Sequence, residues 1–153
     1  MKRIFTLAVT LCCLNIMLAQ AQTYVQVTDA ERLKPIIVDL WPNGAPNDNG
    51  LTGPEKEFAN GRIGNVSKAA LYVYPAGTAG SPAIIACPGG GYSRLAMNHE
   101  GHDMATWFNK QGITYAVLKY RMPNGDITIP LSDAQQAICI MRERAAEWNI
   151  DPT

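Results

Sequence analysis

The apolar residues fall into short runs separated by segments rich in Gly, Pro and Asn, a pattern that predicts short strands joined by turns. Strands are expected at residues 36–41, 69–74, 83–87 and 113–120. The run at 83–87 has no polar position, which is typical of a strand buried on both faces of a parallel sheet. Residues 43–65 contain repeated Gly, Pro and Asn and predict a long surface loop.

Helical spacing of apolar residues predicts two helices after these strands. The first covers about residues 100–111, with Gly112 where a C-terminal cap belongs. The second begins at Ser132, which forms a capping-box pair with Gln135, and its apolar stripe runs to Trp148. The final strand–helix–strand–helix order predicts an α/β fold with a parallel sheet and covering helices.

The first 21 residues have the pattern of a secretory signal peptide. Lys2 and Arg3 precede an apolar run over residues 4–18, and Ala19-Gln20-Ala21 supplies a small-x-small cleavage site. The run is shorter than the ~20 apolar residues of a membrane span. We therefore expect an exported protein, periplasmic or extracellular, with residues 22–153 as the mature part. A retained membrane helix is the alternative.

Charge and cysteine content narrow the picture further. The chain has 13 basic and 13 acidic residues and no charge block, so nothing favours a nucleic-acid partner. Cys87 ends an apolar strand run and Cys139 lies within a helical run. These positions favour two buried free thiols over a disulfide.

The loop after residues 83–87 contains three consecutive glycines, Gly89, Gly90 and Gly91. Three glycines leave the backbone bare and open to positive φ, so N–H groups can face a developing negative oxygen. A tight turn needs only one glycine. Phosphate binding is less favoured, because Arg94 stands where the dinucleotide pattern has glycine and no Gly-Lys-Ser/Thr ending follows.

Residues 86–92 resemble the His-Gly-Gly-Gly loop of α/β-hydrolase esterases, with Pro88 where many relatives have His. Three further segments, 40–46, 117–121 and 130–134, are similar to secreted bacterial carbohydrate esterases of the acetylxylan esterase kind. The resemblance implies the N-terminal part of an α/β-hydrolase fold, with a mostly parallel sheet flanked by helices. It also implies a carboxylic-ester hydrolase, without cofactor or metal, acting on small esters or acetylated polysaccharide such as xylan.

The same resemblance assigns roles to particular residues. It implies that the Gly90 and Gly91 amides form the oxyanion hole, supported by Gly89, Tyr92 and Glu100. Tyr92 would either flank the pocket or pack at the base of the loop. It also implies that the nucleophile strand pairs with residues 83–87. Without that strand, an apolar edge would be left free for self-association.

The catalytic triad of such an enzyme is not found in the sequence. No Gly-x-Ser-x-Gly occurs, since Gly91-Tyr92-Ser93-Arg94-Leu95 fails at Leu95. No histidine follows His102, so the triad is expected beyond Thr153 and this chain alone is expected to be inactive. A non-catalytic binding or scaffold module is the alternative function. A metal site at His99, His102 and Asp103 is a weaker alternative, because the spacing differs from that of zinc proteases.

Overall fold

The computed structural model describes residues 33–153, so the predicted signal peptide lies outside the described residues. Within this range the elements follow in chain order: β1 (Ile36–Asp39), β2 (Lys56–Phe58), β3 (Arg62–Gly64), β4 (Ala70–Tyr74), β5 (Ala83–Ala86), β6 (Arg94–Ala96), a 3₁₀ turn (His102–Met104), α1 (Ala105–Lys110), β7 (Thr114–Lys119) and α2 (Thr128–Glu143). No helix among these residues combines the length and apolar character needed to cross a membrane.

The main sheet has four strands in the order β1–β4–β7–β5. β1 pairs antiparallel with β4, and β4 pairs antiparallel with β7. Among the described strands, only β5 and β7 pair in parallel, and the crossover that joins them contains α1. The expected α/β character is present, but the expectation of a mostly parallel sheet is wrong for the described residues, because they contain a single strand–helix–strand crossover.

β7 lies inside the sheet, and Thr114 to Leu118 are each at most 2% exposed. β5 lies at the edge of this sheet with β7 as its neighbour, and Ile84 is 38% exposed. The prediction that residues 83–87 are buried on both faces is therefore wrong. The apolar run does form the strand, but an edge position leaves part of it open to solvent.

A second sheet, of order β2–β3–β6, occupies part of the segment predicted to be loop. β2 and β3 form a hairpin whose turn places Asn60 at φ 62° and Gly61 at φ 63°. Asn-Gly is a strong hairpin signal because both residues accept positive φ. The loop prediction for residues 43–65 is thus wrong at this hairpin, and the Asn-Gly pair was the signal that identifies it.

The helices lie near their predicted positions but begin elsewhere. α1 is shorter than expected, and Gly112 (φ 74°) ends it with the two hydrogen bonds of a Schellman motif, from Gly112 to Asn109 and from Ile113 to Phe108. α2 begins at Thr128, not Ser132. Pro130 fits inside the first turn, because N–H groups there have no intrahelical acceptor.

The hydrophobic core combines the main sheet with residues of α2 and its following turn, and also includes Ala105 of α1 and Leu95 of β6. Ala137, Met141 and Trp148 of the predicted apolar stripe are buried. Ile138, at the same helical spacing, is 45% exposed, so the stripe prediction is wrong at that position. Of the four cysteines in the sequence, Cys87 and Cys139 lie among the described residues; both are unpaired and exposed, so the prediction that these two thiols are buried is wrong.

Candidate functional site

The three-glycine loop connects β5 to β6 and has a left-handed backbone. Gly90, Gly91 and Tyr92 have φ angles of 144°, 61° and 57°. A Cβ atom on Gly90 would lie 2.0 Å from the carbonyl oxygen of Arg94, whereas one on Gly91 would meet no atom within 4 Å. Gly90 is therefore required both by space and by conformation, and Gly91 by conformation alone.

Two side chains from distant parts of the sequence hold the start of this loop. The Tyr120 hydroxyl donates to the carbonyl of Pro88 at 2.8 Å. The Glu100 carboxylate accepts the N–H of Gly89 at 2.7 Å. Since an ionised acceptor makes one of the stronger hydrogen bonds in proteins, Glu100 fixes the orientation of this peptide group.

Backbone and side-chain donors from the β6 side occupy the next carbonyls. The Gly89 carbonyl accepts the N–H of Ala96 at 2.9 Å. The Gly90 carbonyl accepts the N–H of Ser93 at 3.3 Å and its hydroxyl at 3.0 Å. The carbonyl groups of Pro88, Gly89 and Gly90 are thus all hydrogen-bonded inside the protein.

The amides of Gly90 and Gly91 are the groups left over. Among residues 33–153, neither N–H has a hydrogen-bond acceptor, and both glycines are exposed. The Gly89 amide differs, because it already donates to the Glu100 carboxylate. The loop therefore presents two successive unpaired donors at its surface. The assignment of Gly90 and Gly91 as oxyanion donors stays a prediction with which this geometry is compatible.

A cleft of about 400 Å³ opens beside the loop. Cys87 and Tyr92 line it from the loop side, Leu118 from β7, and Leu131 and Ala134 from α2. The Tyr92 side chain is exposed and contacts the Tyr120 ring edge-on, with 6.2 Å between centroids. Tyr92 therefore both flanks the cleft and packs against the residue that holds the loop.

Burial raises the pKa of two of the side chains that line the cleft, Tyr120 and Cys87. Burial raises the pKa of Tyr120 to about 12, with smaller contributions from Tyr92, Cys87 and Glu100. Partial burial also raises the pKa of the Cys87 thiol, although the residue as a whole is exposed. Because a thiolate is the reactive form of cysteine, Cys87 is a poor nucleophile here.

The two histidines point to different partners. The His99 Nε2 atom lies 3.6 Å from Glu100 Oε1, whereas the His102 Nδ1 atom lies 2.8 Å from the Tyr74 hydroxyl. Within residues 33–153 no group of three or more His, Cys, Asp or Glu side chains has an arrangement that could hold a metal ion. The structure thus gives no support to a metal site at His99, His102 and Asp103.

Three of the four described serines, Ser81, Ser93 and Ser132, use their hydroxyls in local hydrogen bonds. Ser93 donates its hydroxyl to Gly90, and Ser132 donates to the Ile129 carbonyl inside α2. Ser81 is buried, and its hydroxyl lies 2.8 Å from that of Thr114. These three hydroxyls therefore serve local structure.

Sequence reasoning did not single out a buried ion pair that supports the cleft. Arg121 and Asp133 are 3% and 0% exposed, and their side chains are joined by several hydrogen bonds, the Nη2 to Oδ1 contact being the shortest. Trp41 donates to Asp133 Oδ1 at 2.7 Å, and Arg121 also donates to the Asn47 carbonyl at 2.6 Å.

This network joins three of the segments that carry the family resemblance. Trp41 belongs to residues 40–46, Arg121 to 117–121 and Asp133 to 130–134. An Arg directly after a buried strand and an Asp among apolar helix residues were the available signals, but their pairing depends on the fold. The network holds the start of α2, and hence one wall of the cleft, against the end of β7.

Comparison with known proteins gives a consistent result. The chain is 53% identical to an acetylxylan esterase of Xylanibacter ruminicola over 70 residues, which are 46% of this chain and 15% of that protein. The resemblance to esterases is confirmed. The chain also superposes on an acetyl ester-xyloside bifunctional hydrolase from Caldicellulosiruptor lactoaceticus with a TM-score of 0.59 and 33% identity.

The matched regions cover most of this chain in the structural comparisons, but less than half of each esterase. The superposition covers 78% of this chain and 40% of the Caldicellulosiruptor hydrolase. Thermogutta terrifontis esterase 2 phosphonylated by cyclosarin matches with a TM-score of 0.51 and 22% identity, over 77% of this chain and 39% of that one, which shows a shared fold. No family model matches the chain. The chain thus spans less than half the length of each esterase.

Proposed function

We propose that this chain is the oxyanion-binding part of an exported carboxylic ester hydrolase with an α/β-hydrolase fold, which removes acetyl groups from polysaccharide such as xylan. The observation that carries the proposal is the hydrogen bonding of the glycine loop. Its carbonyls and the Gly89 amide are occupied, whereas the Gly90 and Gly91 amides are unpaired. The similarity to an acetylxylan esterase and to an acetyl ester-xyloside hydrolase supports the substrate class.

The chemistry follows from where charge develops during ester hydrolysis. A serine hydroxyl attacks the ester carbonyl, its proton passes to a base, and the carbonyl oxygen becomes an oxyanion. Amides that are already in place stabilise this oxygen without reorganisation, and each such donor contributes about 3–4 kcal/mol. Gly90 and Gly91 would provide that stabilisation. The nucleophile, its base and the acid are proposed to lie outside residues 1–153, so these residues alone are expected to be inactive.

A chimera tests this proposal directly. Residues 22–153 would replace the equivalent segment of the Caldicellulosiruptor hydrolase, and hydrolysis of an aryl acetate and of acetylated xylan would be measured. We expect activity in the folded chimera. Gly90→Ala should lower kcat by about 10²–10³, because a Cβ atom there collides with Arg94 and displaces the amide donors.

Gly77→Ala is the matched control, since Gly77 also has positive φ (74°) but has open space around it and lies outside the loop. Gly77→Ala and Gly90→Ala would both be checked for folding by urea denaturation. A folded chimera without esterase activity, or a Gly90→Ala chimera with undiminished kcat, would contradict the proposal. A folded but inactive chimera would favour the non-catalytic binding module.

A further inference from the structure

The second sheet places three basic residues on one of its faces. Lys56 of β2 lies opposite Gly64 of β3, which in turn lies opposite Arg94 of β6. Arg62 is two positions from Gly64 and therefore shares this face, because alternate residues of a strand point the same way. Glu57, the one acidic residue of β2, β3 and β6, lies on the other face. The face that carries Lys56, Arg62 and Arg94 is called the basic face below.

The charges of the basic face are not neutralised by the described residues. Within residues 33–153, neither Lys56 nor Arg94 has a carboxylate at ion-pair distance, and both are exposed. Glu55, next to Lys56 in sequence, is already paired with Lys119 at 2.7 Å. Arg62 donates to a backbone carbonyl of its own hairpin. The face thus concentrates positive charge in a chain that has 13 basic and 13 acidic residues.

An aromatic ring lies among these charges. Phe58 is two residues after Lys56 on the same face, and its ring covers Gly64, where a Cβ atom would lie 3.0 Å from the ring. Phe58 is 45% exposed, and the Arg94 guanidinium carbon lies 6.0 Å from the centre of its ring. An exposed ring offers apolar surface to the C–H face of a sugar, and the cations beside it suit a carboxylate.

A groove of about 290 Å³ connects the basic face with the glycine loop. Lys56 and Phe58 line it, and so do the two residues that directly follow the three glycines. Arg94 makes a second connection, because a Cβ atom on Gly90 would lie 3.1 Å from Arg94 Cγ. A sugar in this groove would therefore lie next to the loop whose unpaired amides are proposed to bind the ester carbonyl.

Two asparagines add hydrogen-bond acceptors to the groove. Asn65 and Asn124 both line it, and the side-chain nitrogen of each donates to backbone carbonyls of the preceding loop. No donor to either side-chain oxygen is found in the part of the chain that the structure describes. An amide oxygen accepts hydrogen bonds, so these two atoms suit the hydroxyl groups of a sugar.

We propose that the basic face and its groove bind a uronic acid residue of an acidic polysaccharide, with the carboxylate held by Lys56 and Arg94 and the sugar ring against Phe58. Adjacent strands are about 4.8 Å apart, so side chains as long as Lys and Arg reach a common carboxylate from two strands that are not neighbours. The choice of a polysaccharide rests on the proposed function, whereas the negative charge follows from the face itself. The site would favour acetylated chains with acidic branches over neutral ones.

Two oligosaccharides that differ in a single group test this site in the 153-residue chain itself. One is a xylo-oligosaccharide with a glucuronic acid branch, and the other is the same molecule with that carboxylate reduced to an alcohol. Titration calorimetry should give about fivefold tighter binding of the acidic form, the effect expected of ion pairs at an exposed site. The difference should disappear at about 1 M salt, which screens exposed charges.

Matched variants make the result specific. Lys56→Gln and Arg94→Gln should each reduce the preference for the acidic form to about twofold, and the double variant should abolish it. Lys110→Gln is the control, because Lys110 is also an exposed lysine but lies on α1 outside the groove, and it should leave the preference unchanged. Phe58→Ala should weaken binding of both forms alike. Urea denaturation would confirm that each variant is folded.

Two results would overturn the proposal. One is equal affinity of the parent chain for the acidic and the reduced oligosaccharide, or an acidic preference that persists in the double variant. The other is binding to phosphatidylglycerol vesicles without measurable affinity for the acidic oligosaccharide, which would assign the basic face to an anionic membrane surface.

The chimera separates this proposal from the one on which it rests. There, kcat/KM would be compared for the acetylated acidic oligosaccharide and its acetylated, reduced counterpart, and the double variant should lower their ratio about fivefold. An active chimera whose ratio is unchanged by the double variant would overturn the uronic acid site alone. A folded, inactive chimera would overturn the esterase proposal, whereas a retained acidic preference in the 153-residue chain would still support the binding site.

Discussion

At the scale of single residues, the loop depends on contacts that the sequence does not reveal. Three consecutive glycines predict a bare backbone, and the structure gives them positive φ at Gly90 and Gly91. Glu100 determines which amides remain unpaired, because its carboxylate accepts the N–H of Gly89, eleven residues earlier in the chain. Sequence reasoning placed Glu100 near the loop by family resemblance, but no spacing rule connects a carboxylate to one particular amide of a loop.

Tyr120 is the residue whose contribution is easiest to measure. Tyr120→Phe removes the hydrogen bond to the buried Pro88 carbonyl. We expect the free energy of unfolding to fall by about 1–2 kcal/mol, because a buried carbonyl then lacks its donor. Urea denaturation at neutral pH measures this. Tyr92→Phe is the control, since no partner for the Tyr92 hydroxyl is found among residues 33–153, and it should change stability little.

The same variant has a pH signature. The folded pKa of Tyr120, about 12, exceeds the ordinary value of 10, so the unfolded chain loses this proton first. The stabilisation is therefore complete below pH 10 and is lost as pH rises from 10 through 12. The pKa of Tyr115 is also raised to about 12, and this residue is present in both proteins. The parent protein has the Tyr120 contribution as well, so its stability should fall more over this pH range than that of Tyr120→Phe. Identical alkaline curves for the two proteins would contradict this account.

At the scale of elements, strands and helices were predictable where the pattern is local. The strand predictions at 69–74 and 113–120 match β4 and β7 because continuous β-branched and aromatic runs favour strands. The start of α2 was predicted four residues late, because Ser132 and Gln135 imitate a capping box. The actual start uses Asp126, whose carboxylate accepts the N–H of Thr128 at 2.9 Å.

The contact between α2 and β7 depends on the buried Arg121–Asp133 pair. Asp133→Asn leaves the Arg121 guanidinium without its counter-charge in a site where it is 3% exposed. We expect a loss of about 3–5 kcal/mol in the free energy of unfolding, the usual effect of removing one partner of a buried pair. Chemical denaturation provides the measurement.

Glu147→Gln gives the contrast for this prediction. Glu147 is paired with Arg144 at the surface, where its side chain is 52% exposed. An exposed pair contributes at most about 1 kcal/mol, so this variant should be close to neutral. Similar losses in Asp133→Asn and Glu147→Gln would show that the buried network is not what fixes the helix against the sheet.

At the scale of the whole molecule, strand pairing was the least predictable property. The alternation of strand and helix after residue 83 correctly predicts the parallel pairing of β5 with β7. The antiparallel pairing of β4 with β1 and β7 joins residues far apart in sequence, and no local pattern specifies it. The order of the strands places β5 at one edge of the main sheet. β5 has no charged residue between Ala83 and Ala86, and a groove of about 560 Å³ lies beside it.

We therefore expect the isolated chain to self-associate through β5, because an apolar edge strand without a guarding charge readily pairs with another strand. Ile84→Lys places a charge on this edge and should give a monomer in sedimentation equilibrium. Ile37→Lys is the control, since Ile37 is also exposed but lies on β1 at the opposite edge, and it should still associate. A monomeric parent chain would contradict this prediction.

The last residues of the chain are anchored next to that same edge. The Ser81 amide donates to the Asn149 carbonyl at 2.9 Å, and the Asp151 amide donates to the Ser81 carbonyl at 3.0 Å. Thr153 consequently borders the groove beside β5. An affinity tag or fluorophore attached at Thr153 would lie next to the β5 edge and would compete with self-association through that strand. A dye placed deliberately at Thr153 would act as a proximity sensor for whatever occupies the groove.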